Sequence, residues 1–420
     1  MSLEFVNLPS SLQSLTFGED FNQSIQPVTL PSSLRSLSLG DAFNQSLEDV
    51  VLPDSLQFLT FGSVFSSSHH LSMTFPATLQ SLTFSDDFNE PLRHLDLPNL
   101  ETLSLGAAFN QSLEDVRWPS KLKSLSLGRH FDQSLEHVTF PSTLQLLDVG
   151  MMFNRSLDAV DLPNLHSLTL GNSFNQSLEH VADRVINLQC LSLGGGFSHS
   201  LEHLKFPNLR SLTFVDSFNR DVSGTWPSTL RRVTFGRDFN QTLERIRWPL
   251  LESLRFGDEF NQSLARVQLP SSLRSLVFGR RFDQSLEQVS LPEDLTNLTF
   301  GSLFNQSLEN VSLPSGLECL TFGDRFNHDL EYVTLPSHLR NLTFGMHFTR
   351  SLEGVTFPTN LESFCCGRQY PESLRQVLFP GSLRSVECQG LMVAVSPDEK
   401  GEWDIRISTY QEKHMSTWRT

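Results

Sequence analysis

A carboxylate returns at intervals of about 22 residues, or multiples of that, along most of this 420-residue chain: Glu48, Glu114, Glu136, Asp158, Glu179, Glu202, Glu244, Glu287, Glu309, Glu331 and Glu353. Stacked one strand spacing apart, such a column repels itself and could draw a hard cation or a basic partner. A cation site needs several oxygens converging on one point, and this column offers one carboxylate per interval. A solvated edge, screened by salt and by His137, His180, His203, Arg245 and Arg266, is the better reading.

A second column carries amides: Asn22, Asn44, Asn89, Asn110, Asn154, Asn175, Asn219, Asn240, Asn261, Asn305 and Asn327, with Asp132, Asp283, Ser66, Ser198 and Thr349 as substitutes. Every substitute except Pro371 keeps a side-chain acceptor, which predicts a structural ladder satisfying buried loop backbone groups. Several of these asparagines also begin the acceptor pattern for N-linked sugar, Asn22 with Ser24 and Asn240 with Thr242 among them. A buried ladder has no room for a glycan, so the coincidence favours an unglycosylated intracellular protein or unused sequons.

Catalytic groups are not arranged for work. His69 and His70 lie in the irregular stretch SSSHHLS, no serine, histidine and acid recur as a distinct set, and no phosphate-cradling loop is present. The five cysteines, Cys190, Cys319, Cys365, Cys366 and Cys388, are odd in number and lack metal-site spacing, so reduced thiols in a cytoplasmic protein are expected. The sequence therefore predicts no enzyme, no metal and no cofactor.

Binding is the remaining chemistry, and two sets of residues could carry it. Hydroxyls pair at alternate positions as Ser14 and Thr16, Ser36 and Ser38, Ser81 and Thr83, Thr102 and Ser104, Ser124 and Ser126, Ser167 and Thr169, and Ser211 and Thr213. Later pairs are less regular: Arg232 with Thr234, Ser253 with Arg255, Ser275 with Val277, Asn297 with Thr299, and Asn341 with Thr343. Variable loop positions nearby include Arg129, His130, Arg237, Asp238, Arg280 and Arg281, as expected of a rim that contacts a partner. A regular hydroxyl face with a spacing of about 4.8 by 6.7 Å also admits an extended carbohydrate or an ice-like lattice.

The elements that position these residues follow from the period itself. Phe21, Phe43, Phe65, Phe88, Phe109 and their successors to Phe348 recur at gaps of 21 to 23, with Tyr370 completing a series of seventeen. Around each, the consensus LPSSLxSLTFGxxFNQSLExVx alternates apolar and polar residues over a short strand that glycine ends. The segment NQSLExV is too short for more than one helical turn, and proline soon follows. One rung buries too little apolar surface to offset the entropy of ordering 22 residues, so stability must come from stacking. The expected fold is mainly β: a leucine-rich-repeat-like solenoid of about 17 repeats of about 22 residues, with a parallel sheet on the concave face and little helix.

The run LxxLxF followed by FNQ resembles the FNIP repeat, a relative of the leucine-rich repeat, over nearly the whole chain. Phe88, Asn89, Glu90, Pro91 and Leu92 come nearest the family form, whereas serine or threonine replaces that proline in most copies. The resemblance implies a protein-binding scaffold. It also implies the substrate-recognition part of a ubiquitin-ligase adaptor where an F-box precedes the repeats, and this sequence contains no F-box.

The chain opens in mid-repeat with Ser2, Leu3, Glu4, Val6, Leu8 and Pro9, so either a longer protein continues the array or the first rung self-associates. Residues 1–390 are read as solenoid. Residues 391–420 are read as a capping hairpin, Leu391–Val395 with Trp403–Tyr410 around the turn Ser396–Gly401, followed by a tail. A net charge of −16 disfavours nucleic acid and anionic membrane, and no run of 18 apolar residues is present to insert in a bilayer. Met1–Ser10 carries no secretory signal. A protein partner is the expectation.

Overall fold

A computed structural model describes residues 6–65, 74–92, 97–201, 206–248, 250–367 and 377–388, together with the backbone of 391–397 and 403–409. Outside these lie Ser66, His69, His70, Glu202, His203, Tyr370, most of the turn 396–401 and the tail from 410. Contacts divide the chain into two compact units, residues 1–199 with 203–215 and residues 200–202 with 216–420.

Each rung is bent by three tight turns, and the sequence sets where they fall. In the second rung, Leu34 N–H donates to Pro31 O at 2.9 Å, Phe43 to Gly40 O at 2.9 Å and Val50 to Leu47 O at 3.0 Å. Proline pre-sets the first bend, and glycine opens the second. Between the first two lies one three- or four-residue strand. The opposite side is turns and short extended pieces, and among the described residues the one helix is a single 3₁₀ turn, Val181–Asp183.

The first unit stacks ten parallel strands in chain order: β1 Ser14–Thr16, β2 Ser36–Ser38, β3 Phe58–Thr60, β4 Ser81–Thr83, β5 Thr102–Ser104, β6 Ser124–Ser126, β7 Leu146–Asp148, β8 Ser167–Leu170, β9 Cys190–Leu193 and β10 Ser211–Phe214. The register is strict: Leu15 lies beside Leu37, then Leu59, Leu82 and Leu103.

The second unit repeats the plan. A two-stranded side sheet joins β11, Gly224–Thr225, to β13, Ile246–Arg247. The main series runs β12 Arg232–Thr234, β14 Ser253–Arg255, β15 Ser275–Val277, β16 Asn297–Thr299, β17 Cys319–Thr321, β18 Asn341–Thr343, β19 Ser363–Cys366 and β20 Ser385–Cys388, all parallel. Then β21, Leu391–Pro397, turns back antiparallel on β20 and pairs with β22, Trp403–Thr409. Among the described residues the two units together hold eighteen parallel strands at the repeat period, including the degenerate last one.

The core is ordered by column. Phenylalanine rings from successive rungs stack, as in Phe260 with Phe282, Phe304, Phe326 and Phe348 at 6.0 to 6.1 Å and within 7° of parallel. A second aromatic column at the strand end, Phe235, Phe256, Phe278, Phe300 and Phe322, stacks at 5.6 to 5.7 Å. Within each of these rungs the two columns touch at 3.7 to 3.9 Å. Apart from Phe21 on the first rung, the phenylalanines of the loop column are almost wholly buried.

Candidate functional site: the open sheet face

On most strands the inward residue, usually leucine, is buried and its neighbours face outward, the alternation expected of a sheet with one packed face, while Leu15 on β1 is half-buried. Ser14 and Thr16 are exposed, while Ser36, Ser38, Ser81, Thr83, Ser124, Ser126, Ser167, Thr169, Ser211 and Thr213 are half-buried between neighbouring rungs. The hydroxyl pattern is interrupted. Phe58 and Leu146 stand on this face with 45% and 47% of their surface exposed, and Cys190 is exposed beside Ser167 and Ser211. Asp148 also faces outward and turns one oxygen onto the N–H of Gly150 at 2.9 Å. Unbroken hydroxyl pairs therefore extend over three rungs at most, β4 to β6.

The rim residues Arg129, His130, Arg237, Arg280 and Arg281 are exposed, and Asp238 is half-buried. Asp238 Oδ1 accepts from Arg237 Nε at 3.0 Å, and this bond holds the guanidinium above its ordinary pKa. Arg281 pairs with Glu259 of the preceding rung at 2.9 Å. The register also brings together a charged column just before the strands. Lys123 meets Glu101 at 2.8 Å, Arg231 meets Glu252 at 3.6 Å, and Glu362 lies between Arg340 at 2.8 Å and Arg384 at 3.4 Å. Sequence reasoning passed over this column and over Phe58 and Leu146. Their signal was position: Phe58 and Leu146 occupy an outward slot that serine fills in many copies, and charged residues recur in the slot just before it.

The motif FNQSLE resolves into three separate devices. From Asn22, Asn89, Asn110, Asn154, Asn175, Asn219, Asn240, Asn261, Asn305 and Asn327, the side-chain oxygen accepts the backbone N–H at the same position one rung on, at 2.8 to 3.0 Å. Asn44 supplies the N–H that Asn22 accepts. Asp132 and Asp283 serve as acceptors in the same way. The following glutamine donates across the rung to that oxygen, and the serine caps the N–H two residues on, as Gln262 does to Asn240 at 3.0 Å and Ser285 to Glu287 at 3.2 Å.

One expectation about this ladder is corrected. Its residues are exposed or half-buried, because only the next rung covers each side chain and its other flank meets water. The groups it satisfies are not buried loop groups, and the step from burial to an unglycosylated intracellular protein loses its premise.

A recess of about 580 Å³ in the first unit is lined by Asp158, Asp161, His180, Asp183 and Arg184. Among the described residues no group of three or more histidine, cysteine or acidic side chains could hold a metal ion, and no helix is long and apolar enough to cross a membrane.

Known proteins match this architecture. The FNIP Repeat model matches residues 2–42, 21–64, 43–70, 109–150, 249–280, 260–303 and 304–347, together half of the chain. The CroV588 protein, described as a novel circular LRR protein structure, is 32% identical with a TM-score of 0.63. That match covers 91% of this chain and 63% of the other, so this chain spans less than two thirds of that relative's length. The internalin InlF of Listeria monocytogenes is 15% identical at a TM-score of 0.37, over 84% of this chain and 87% of its own. In the TLR13–ssRNA13 complex the match is 15% identical at 0.48, over 85% and 57%. No curated protein matches the chain.

Proposed function

This chain belongs to the FNIP-repeat family, and from that premise we propose that it is a non-enzymatic protein-binding scaffold whose open sheet face and variable rim receive another protein. The observation that carries this reading is the character of the open face. It mixes half-buried hydroxyls with two isolated, exposed apolar side chains, Phe58 and Leu146, flanked by a rim whose charges change from rung to rung. Such a mixture suits a protein surface, where aromatic and aliphatic anchors sit among polar contacts. A crystal lattice or a regular polysaccharide needs unbroken spacing, and the hydroxyl pairs lose it after three rungs.

A photo-crosslinking residue at Ser126 tests the proposal against one at Thr139, an exposed position away from the sheet. In native lysate the first is expected to give a discrete protein adduct and the second none. Equal adducts from both positions, or none from Ser126, would remove the open face as the binding surface.

A further inference from the structure

We infer that the open face at the start of the second unit, around Arg232, Arg255 and Arg274, is a docking patch for an extended acidic peptide; the inference rests on the scaffold reading and names the chemistry of one partner segment. Residues 231 to 281 hold ten arginines and five acids, a local charge of +5 in a chain of −16. The sequence scatters these arginines at intervals of about 20, and the fold collects them. Arg232 lies in register with Ser253 and Ser275, while Arg255 lies beside Thr234 and Val277. Sheet geometry puts the Cα atoms of Arg232 and Arg255 about 8 Å apart, and Arg274, immediately before Ser275, about 10 Å from Arg232.

The nearby acids are already engaged. Glu252 pairs with Arg231, Asp238 with Arg237 and Glu259 with Arg281, while Asp258 accepts the backbone N–H of Arg280 at 3.4 Å. Arg232, Arg255 and Arg274 are exposed and have no ion-pair partner among the described residues. Arg232 and Arg255 are thus left without an ion-pair partner, and Arg274 adjoins Glu252, which pairs with Arg231, with the hydroxyls of Ser253, Ser275 and Thr234 between the three arginines. Carboxylates on alternate residues of an extended chain are about 6.8 Å apart, and at every third residue about 10 Å, which matches these spacings.

A single nucleic-acid strand has similar charge spacing but gains much of its affinity by stacking bases on aromatic rings. None of the open-face positions from β12 to β20 is aromatic. A long polyanion would also leave the patch for rungs whose net charge is negative. A short acidic segment would not.

The test measures binding of a fluorescent nonapeptide of alternating glutamate and glycine to the full chain. The same peptide with glutamine, and the oligonucleotide dT9, serve as controls. The glutamate peptide is expected to bind more tightly than both controls and to weaken as salt rises. Replacing Arg232→Ala and Arg255→Ala together should weaken it about three- to thirtyfold, from two exposed charge contacts. Arg340→Ala, at an ion pair in the same unit, should leave it unchanged. If the double variant is unfolded by circular dichroism, Arg255→Glu alone is expected to abolish the preference for glutamate. Equal binding of the glutamate and glutamine peptides overturns the inference, as does retained affinity in the folded variants. Binding of dT9 as tight as that of the glutamate peptide overturns it in favour of nucleic acid. Failure here with a Ser126 adduct still formed would sink the acidic patch and leave the scaffold standing.

Discussion

The side-chain oxygen of Asn240 accepts the backbone N–H of Asn261 at 2.9 Å and the amide of Gln262 at 3.0 Å, so one atom ties two residues of the next rung. Asn240→Leu removes that acceptor at a half-buried site and should cost about 1 kcal/mol, measured as a lower urea midpoint. Asn240→Asp keeps the acceptor, as Asp283 does two rungs on, and should stay within about 0.5 kcal/mol of the parent. Equal losses in the two variants would show that the oxygen is not what the site requires.

Phe260 is fully buried, with Phe239 at 6.1 Å, Phe282 at 6.0 Å and Phe256 at 3.9 Å around it. Phe260→Ala should cost about 3 to 5 kcal/mol, because rungs on both sides are held at their spacing and cannot close the cavity. Phe21→Ala should cost clearly less, since Phe21 is already partly exposed on the first described rung. Thermal unfolding of the two variants measures the difference, and a smaller loss at Phe260 would contradict the column as the source of rung cohesion.

Most of this fold was legible because the repeat presents each position many times over. Phe21, Phe43 and Phe65 announced the period, and the alternation around Leu15 gave the strand its inner and outer faces. The burial of the asparagine column was misread because a sequence shows which residues recur and not which flank the next rung leaves open. The candidate site was harder to see. Arg232 and Arg255 are 23 residues apart, and their proximity exists only once the register of β12 and β14 is fixed. The same holds for Glu362, whose partners Arg340 and Arg384 are each 22 residues away.

Glu362 offers a measure of what that charged column contributes. It faces arginines on both neighbouring rungs, at 2.8 and 3.4 Å, with its side chain 31% exposed. Glu362→Gln should lower stability by less than about 1 kcal/mol at low salt, the range for partly exposed pairs. In 1 M salt, where the screening length falls to about 3 Å, most of the difference should vanish. A loss independent of salt would mean that packing, and not charge, is what Glu362 provides.

The glycine column makes the sharpest demand on sequence. A Cβ at Gly301 would overlap the carbonyl oxygen of Gly279, and one at Gly323 would overlap that of Gly301, so the turns after successive strands pack backbone on backbone. Gly381, by contrast, has nothing within 4 Å of where its Cβ would lie. Where the column departs from glycine the chain changes too. Ser85 turns its hydroxyl onto Phe65 O at 2.7 Å, and Val215 is followed by Asp216 at a φ of 44°. Gly301→Ala should therefore force adjacent rungs apart and cost about 2 kcal/mol or more, above the propensity effect of alanine itself, while Gly381→Ala should stay within about 0.5 kcal/mol of the parent. Urea unfolding of the two variants side by side decides the point. Comparable midpoints would mean that the rungs can spread at little cost, and that the glycines reflect the copying of one ancestral repeat more than a steric requirement.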